Sequence, residues 1–315
     1  MKKKIVGWIE GYFYNPSFFQ RVLSFFLLPL TAIYCIVVIS KRFFCSEKDF
    51  GLPVISVGNL SVGGSGKTPF IIELAKRYED VFVILRGYKR EQKGLLIVSR
   101  NGEILTDVKK SGDEAMLIAL KLPNATVIVS KNRSKAIEKA KELGAKIVLL
   151  DDAFHRCEIK KFDILIKNDF KNRFCLPSGP YREPLFFKKY SDIVVEEGKD
   201  FKRDVKILNP TPNMVLVTAI ARPRRLESFL PKKIKKFYFE DHHFFGKEEI
   251  EKIVKQENAT SLLVTQKDEV KLKDMGFKLS VMELELKIDE EILKKIDKYV
   301  KEFYEKEDSN RSDAA

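Results

Sequence analysis

The sequence predicts an α/β fold: a P-loop NTPase-like, mainly parallel sheet domain, a second and smaller α/β domain, and an N-terminal membrane-associated helix. Three observations predict it. From Pro53 onward, short apolar runs alternate with helical stretches, the pattern of βαβ units around a parallel sheet. A glycine-rich loop separates the first such run from the first such helix, the context a phosphate-binding loop requires. Ahead of both, Val22 to Ser40 carries no charged residue.

The charge-free segment lies between Arg21 and the pair Lys41-Arg42, and Pro29 sits inside it. A bilayer core needs about 20 apolar residues in a helix, so spanning and lying in the interface both remain open. Basic residues on both sides leave the orientation undecided. Lys2, Lys3 and Lys4, followed by Trp8, Tyr12, Phe13 and Tyr14, suit a headgroup interface. The competing reading is a buried core helix kinked at Pro29.

Beyond it, Val54–Val57, Val81–Leu85, Thr126–Val129, Ile147–Leu150 and Ile164–Ile166 read as buried strands. Pro69–Tyr78, Asp113–Lys121 and Arg133–Leu143 read as helices. Leu95–Val98 and Ile104–Leu105, joined across Asn101-Gly102, read as an inserted hairpin. After a charged stretch at Glu196–Lys206, a second set follows: strands Met214–Val217, Phe237–Phe239 and Ser261–Val264, helices Lys247–Gln256 and Glu290–Tyr304. The expected division is therefore a membrane-associated segment (1–48), a P-loop domain (49–200), a C-terminal α/β domain (201–305) and a disordered tail (306–315).

Composition narrows the function classes. The chain has 315 residues and is 44% hydrophobic, enough for packed cores. A formal charge of +13 points to a polyanionic partner: nucleic acid, acidic headgroups or a phosphorylated substrate. No nucleic-acid-binding motif accompanies the charge. Cys35, Cys45, Cys157 and Cys175 form neither a CxxC pair nor a zinc spacing, so a reducing compartment with ordinary thiols is expected.

The motif with the clearest chemistry is Gly58-Asn-Leu-Ser-Val-Gly-Gly-Ser-Gly-Lys-Thr68. Gly63, Gly64, Ser65 and Gly66 let backbone N–H groups turn toward phosphate oxygens, and the following helix adds its positive end. Lys67 would reach the β- and γ-phosphates of ATP, and Thr68 would place its hydroxyl on Mg²⁺. The strict pattern has Gly where this chain has Ser61. Asp151 and Asp152 end an apolar run, where a cation partner offsets the cost of the acids. Asp113 opens a helical stretch and fits an N-cap as well as a general base. Arg86, Arg133 and Arg182 follow strands or lie in Gly/Pro-rich loops, positions suited to clamping phosphates. Asp241-His242 pairs a carboxylate with an imidazole, a proton-shuttle arrangement that also occurs in structural roles.

These blocks together resemble the lipid A 4'-kinase (tetraacyldisaccharide 4'-kinase) family. The carriers are ISVGNLSVGGSGKTPF, LRGYKR, GDEA, SKNR, LLDDAFHR, LPSGPYREPL, DHH and TQKDEVKL, in that order. The resemblance implies ATP- and Mg²⁺-dependent phosphorylation of the 4'-hydroxyl of a tetraacylated glucosamine disaccharide 1-phosphate. It implies work at the cytoplasmic face of a Gram-negative inner membrane. Apart from the resemblance, a monomeric chain is expected, and with no binding motif present, nucleic acid is not an expected partner. The implied fold is two α/β/α domains joined by a two-stranded linker, with an N-terminal membrane helix. Asp113 would be the base and His242 its support, with Lys67 acting on the transferred group. The glycine-rich loop, Arg86 and Arg133 would hold the nucleotide. Thr68, Asp151 and Asp152 would hold the metal, and Arg182 and Glu183 would meet the substrate. Ala153-Phe154-His155-Arg156 and Ala115 depart from the family's usual residues. The rival reading is another membrane-associated P-loop NTPase, which would hydrolyse ATP without a lipid acceptor.

Overall fold

A computed structural model describes residues 2–64 and 66–312, with side chains from 7 to 64 and from 66 to 309. Ser65, the side chains of Lys2–Lys4 and the last three residues lie outside the described residues. In chain order the elements are α1 (Lys2–Tyr14), α2 (Phe18–Phe26), α3 (Leu28–Phe43), β1 (Val54–Gly58), α4 (Lys67–Ala75), β2 (Val81–Leu85), β3 (Leu96–Arg100) and β4 (Glu103–Ile104). Next come α5 (Val108–Ser111), α6 (Asp113–Lys121), β5 (Thr126–Val129), α7 (Arg133–Glu142), β6 (Ile147–Asp151), β7 (Phe162–Ile166) and β8 (Ile193–Val195). The remainder are β9 (Phe201–Leu208), β10 (Met214–Thr218), β11 (Lys235–Tyr238), α8 (Lys247–Gln256), β12 (Ser261–Thr265), α9 (Gln266–Leu272), β13 (Leu279–Ile288) and α10 (Glu290–Ser312).

The chain forms two compact units, each assembled from separated stretches. Unit 1 takes Met1–Lys67, Ile147–Asp200 and Glu290–Ala315; unit 2 takes Thr68–Lys146 and Phe201–Asp289. This partition by contact differs from the single cut near residue 200 expected from sequence.

In unit 1, β6, β1, β7 and β8 pair in parallel in that order. β1 and β6 are buried along their full length, as strands covered on both faces must be, which is why they read as unbroken apolar runs. α10 belongs to this unit because Tyr299 packs on Phe162 of β7 and donates its hydroxyl to Val54 O of β1 at 3.3 Å. The helix runs to Ser312, so residues 306–312 of the expected disordered tail (306–315) are helical, and 313–315 lie outside the described residues.

The apolar N-terminal segment is two helices, not one. α2 and α3 meet at a 59° bend, and no single helix among the described residues is long and apolar enough to cross a membrane, although the bent pair passes that test together. The break is local chemistry. Leu27 ends α2 and starts α3, and Pro29 stands in the first turn of α3, where its missing N–H costs nothing; at its other end α2 is capped by Ser17 in a reciprocal capping box with Gln20. These helices dock on their own unit. Thr31 Oγ1 donates to Ser178 Oγ at 2.6 Å, Tyr34 OH to Arg182 O at 2.7 Å, and Tyr14 OH to Val62 O at 3.0 Å. Cys45 and Cys157 are joined in a disulfide across 112 residues, correcting the expectation of four thiols; Cys35 and Cys175 are free.

In unit 2, β2 and β5 pair in parallel, with β3 and then β4 added antiparallel, so the expected hairpin is present. A separate five-stranded sheet has the order β11-β10-β12-β13-β9. β10, β11, β12 and β13 are mutually parallel, and β9 runs antiparallel to β13 over eight residue pairs. β9 covers much of the charged stretch at Glu196–Lys206, which was not expected to be a strand. Its alternation of half-buried and exposed positions is that of an edge strand carrying charge on its open face.

Candidate active site

The unit 1 group is built at the ends of β1 and β6. β1 delivers the chain into the loop 59–66, and α4 begins at Lys67. Gly63 and Gly66 take φ of 91° and 88°, which side chains with a Cβ rarely adopt. Gly58 is required for packing: a Cβ there would stand 2.5 Å from that of Phe154. The loop is fastened to the segment around Arg182 by backbone bonds, Val62 N to Pro180 O at 2.8 Å and Arg182 N to Leu60 O at 2.7 Å.

Three expected residues meet here. The Arg182 guanidinium donates to both Asp152 carboxylate oxygens at 2.8 Å, and Lys67 Nζ lies 3.4 Å from Asp152 Oδ1. Asn59, which sequence reasoning passed over, links them: its Oδ1 accepts from Lys67 Nζ at 3.0 Å and from Arg182 at 2.9 Å. Its Nδ2 donates to Ser61 Oγ at 3.1 Å. The Ser61 departure from the glycine pattern is thus a working hydrogen-bond partner. Burial opposes the charge on Asp152, but Lys67 and Arg182 outweigh it and hold the carboxyl well below its usual range. Burial lowers His155 to about 4 despite Asp152, leaving it neutral at pH 7. Burial pushes Glu183 up to about 7, with Arg42 and Arg182 pulling the other way. Asp151 is buried at the end of β6, beside Val57 of β1.

The unit 2 group is built around Asp113. Gly112 takes φ of 89° and is the N-cap residue of α6, so Asp113 is the first helical residue and not the cap. Its Oδ1 accepts from Glu114 N at 2.9 Å. His242 Nδ1 lies 2.8 Å and 3.0 Å from the two Asp113 oxygens, and both residues are buried. The histidine is held by its backbone, with His242 N donating to Ala219 O at 3.0 Å just beyond β10. Tyr88 of the loop after β2 packs its ring 5.2 Å from the imidazole.

Two lysines of α9 complete this group, and sequence reasoning assigned neither a role. Lys267 Nζ lies 3.4 Å from His242 Nε2, 3.2 Å from Glu114 Oε1 and 3.9 Å from Asp113 Oδ2. Lys271 Nζ lies 3.5 Å from Asp113 Oδ2 and 3.0 Å from Asp268 Oδ1. Asp268, fully buried, also accepts from Thr218 Oγ1, Thr265 Oγ1 and Ala219 N. Burial raises the pKa of Asp113, but the His242 hydrogen bond and the charges of Lys267 and Lys271 outweigh it and keep the net shift downward. The signal available in sequence was the four-residue spacing of Lys267 and Lys271, one face of a helix.

Arg133 is the buried first residue of α7 and donates to Ser130 O; Arg86 is exposed after β2. Thr68 opens the unit 2 part of α4.

The sequence model of the tetraacyldisaccharide-1-P 4'-kinase family matches residues 23–214 and 202–301. The chain belongs to the tetraacyldisaccharide 4'-kinase family. A tetraacyldisaccharide 4'-kinase from Aliarcobacter butzleri is 54% identical over 301 residues, 93% of this chain and 96% of that protein. One from Helicobacter pylori strain HPAG1 is 50% identical over 295 residues, 93% and 94% of the respective chains. The crystal structure of the "apo" form of LpxK from Aquifex aeolicus in complex with ATP superimposes with a TM-score of 0.72 at 28% identity, covering 88% of this chain and 99% of that one. The members of this family are kinases, and both groups described above fall within the stretches its sequence model covers.

Proposed function

We propose that this chain transfers the γ-phosphoryl group of ATP to the 4'-hydroxyl of a tetraacylated glucosamine disaccharide 1-phosphate, a step of lipid A biosynthesis. The observation that carries this reading is family membership over nearly the whole chain. The Asp113–His242 pair supplies the acceptor chemistry. A depressed carboxylate with an imidazole donor orients the attacking hydroxyl and takes its proton. Lys67, Arg182 and the loop 59–66 form the phosphate end, where fixed cations neutralise charge that develops on the transferred group. Arg86 and Arg133 add cationic contacts for the nucleotide, and Glu183 meets the sugar substrate.

Mg²⁺ fits the donors present. Asp151, Asp152 and Thr68 offer only hard oxygen ligands, the set this ion prefers, and when bound it would neutralise the β- and γ-phosphate oxygens. The membrane reading is supported by α2 and α3. Phe18, Phe19, Phe25, Phe26, Phe43 and Phe44 are 64–82% exposed, a surface too apolar for water alone. With the formal charge of +13, this fits the cytoplasmic face of an inner membrane with anionic headgroups.

The deciding experiment incubates the chain with labelled ATP and a lipid disaccharide monophosphate, then maps the labelled hydroxyl. Label on the 4'-oxygen is expected. Label on another hydroxyl, or release of phosphate to water with no dependence on lipid, overturns the reading.

A further inference from the structure

We infer that Lys267 is a positioning residue: it holds His242 as the neutral, Nδ1-protonated tautomer, so that no imidazolium cancels the negative charge of Asp113. The inference rests on the reading of Asp113 and His242 as the catalytic pair.

The geometry assigns the protons. An ionised carboxylate only accepts, so Nδ1 at 2.8 and 3.0 Å from the Asp113 oxygens must carry hydrogen. The opposite nitrogen is contested. Lys267 Nζ lies 3.4 Å from Nε2, and Asp241 Oδ2 lies 3.5 Å from the same atom. An ammonium only donates, so Lys267 requires a lone pair on Nε2. Asp241 would instead accept a hydrogen from Nε2 and favour the imidazolium. Lys267 settles the contest by occupying Asp241 as well, with Nζ 3.6 Å from Asp241 Oδ1.

The ammonium is fixed by its surroundings. Burial alone would lower its pKa, but Glu114, Asp113 and Asp241 outweigh burial and raise it, so Lys267 stays charged. The groups facing the imidazole are then Asp113 and Glu114 from α6, Asp241 from its own turn, and Lys267 and Lys271 from α9. Asp268 takes up the charge of Lys271 at 3.0 Å. Lys89 donates to Asp241 O at 2.7 Å, and Tyr88 covers the ring. Remove Lys267, and the balance at Nε2 passes to Asp241.

The test is ¹⁵N NMR of the full chain with labelled histidine. There are three histidines in all, and His242→Gln assigns the signal. At pH 7 the wild type is expected to show hydrogen on Nδ1 and none on Nε2. Lys267→Met should gain hydrogen on Nε2, and Lys267→Met with Asp241→Asn should lose it again. Lys267→Arg should keep the wild-type pattern. The turnover of Lys267→Met should fall by about tenfold at pH 7, since an imidazolium against Asp113 weakens the base. Lys267→Gln repeats the measurement should the methionine variant not fold. A wild-type Nε2 that carries hydrogen overturns the inference, as does an unprotonated Nε2 in both the methionine and glutamine variants. The ring signals do not depend on which hydroxyl is phosphorylated, so failure of the kinase reading registers separately.

Discussion

At the scale of single residues, the proposed reaction places charge neutralisation in one group and proton transfer in the other. Lys67 lies among Asn59, Asp152 and Arg182, so Lys67→Ala keeps the loop tied through Arg182 while removing one cation. Turnover should fall by about 10²–10³, the usual loss for one preorganised electrostatic contact; activity within threefold of wild type (our own tolerance) would remove Lys67 from the mechanism. Asp113→Asn is a sharper probe. Asp113 is not the N-cap of α6, so the substitution leaves the cap untouched, and Asp268 still pairs with Lys271. The thermal midpoint should hold while kcat falls by about 10²–10⁴. A near-normal kcat would move the base assignment elsewhere. Asp113, being depressed on folding, is ionised at neutral pH and is protonated only on acidification, so wild-type activity should be lost on the acid side.

At the scale of elements, the N-terminal helices are part of the first unit and not an appendage. Tyr14, Tyr34, Cys35 and Val38 pack against the core that holds Phe154, Tyr181 and Phe187. Arg42 lies 4.8 Å from the Phe154 ring and 4.5 Å from that of Tyr190. Deleting residues 1–42 would therefore open a core as well as remove an apolar surface. The cleaner experiment replaces Phe18, Phe19, Phe25 and Phe26 by Ser. Vesicle sedimentation should show weaker binding to anionic vesicles with little change in thermal midpoint; undiminished binding would exclude α2 as the contact. Legibility from sequence followed the same lines. Buried parallel strands such as β2 and β5 were readable to the residue because both faces are covered and the run is uniformly apolar. β9 was hidden because Lys202, Asp204 and Lys206, which share one face of this edge strand, make the run read as charged. The α2–α3 bend was hidden because a hydropathy window counts composition and not direction, although Pro29 marked the spot. Lys267 offered only its four-residue spacing from Lys271, which does not show that the pair meets Asp113 and His242. Asn59 was illegible as a site residue because it meets Arg182 by long-range approach, which no local pattern encodes. The Cys45–Cys157 pairing, 112 residues apart, was illegible for the same reason.

At the scale of the whole molecule, buried acids make stability depend on pH. Burial pushes Asp163 of β7 up to about 6, with Lys161 partly offsetting it. A folded-state pKa above the unfolded value means that the folded chain binds the proton more tightly. The contribution is full only well below about pH 4 and is lost as pH rises through about 6. The stability of wild type relative to Asp163→Asn should therefore decline by roughly 2 kcal/mol between pH 4 and pH 7, since each tenfold gain in proton affinity on folding is worth about 1.36 kcal/mol and part of the contribution is already lost at pH 4. Chemical denaturation at a series of pH values measures it, and a difference that stays constant would contradict the assignment.

The return of α10 to the first unit has a consequence for biosynthesis. Strand β1 is among the early parts of the chain to leave the ribosome, yet Val54 O receives its bond from Tyr299 near the end. The usual vectorial order, with the N-terminal domain complete before the next begins, is closed to this chain: its first unit is the last to be finished. Stalled nascent chains ending at Asp289 should leave β1 and β7 open to limited proteolysis. Chains extended through α10 should close them, and early protection of Val54–Gly58 would show that the strands settle without that helix.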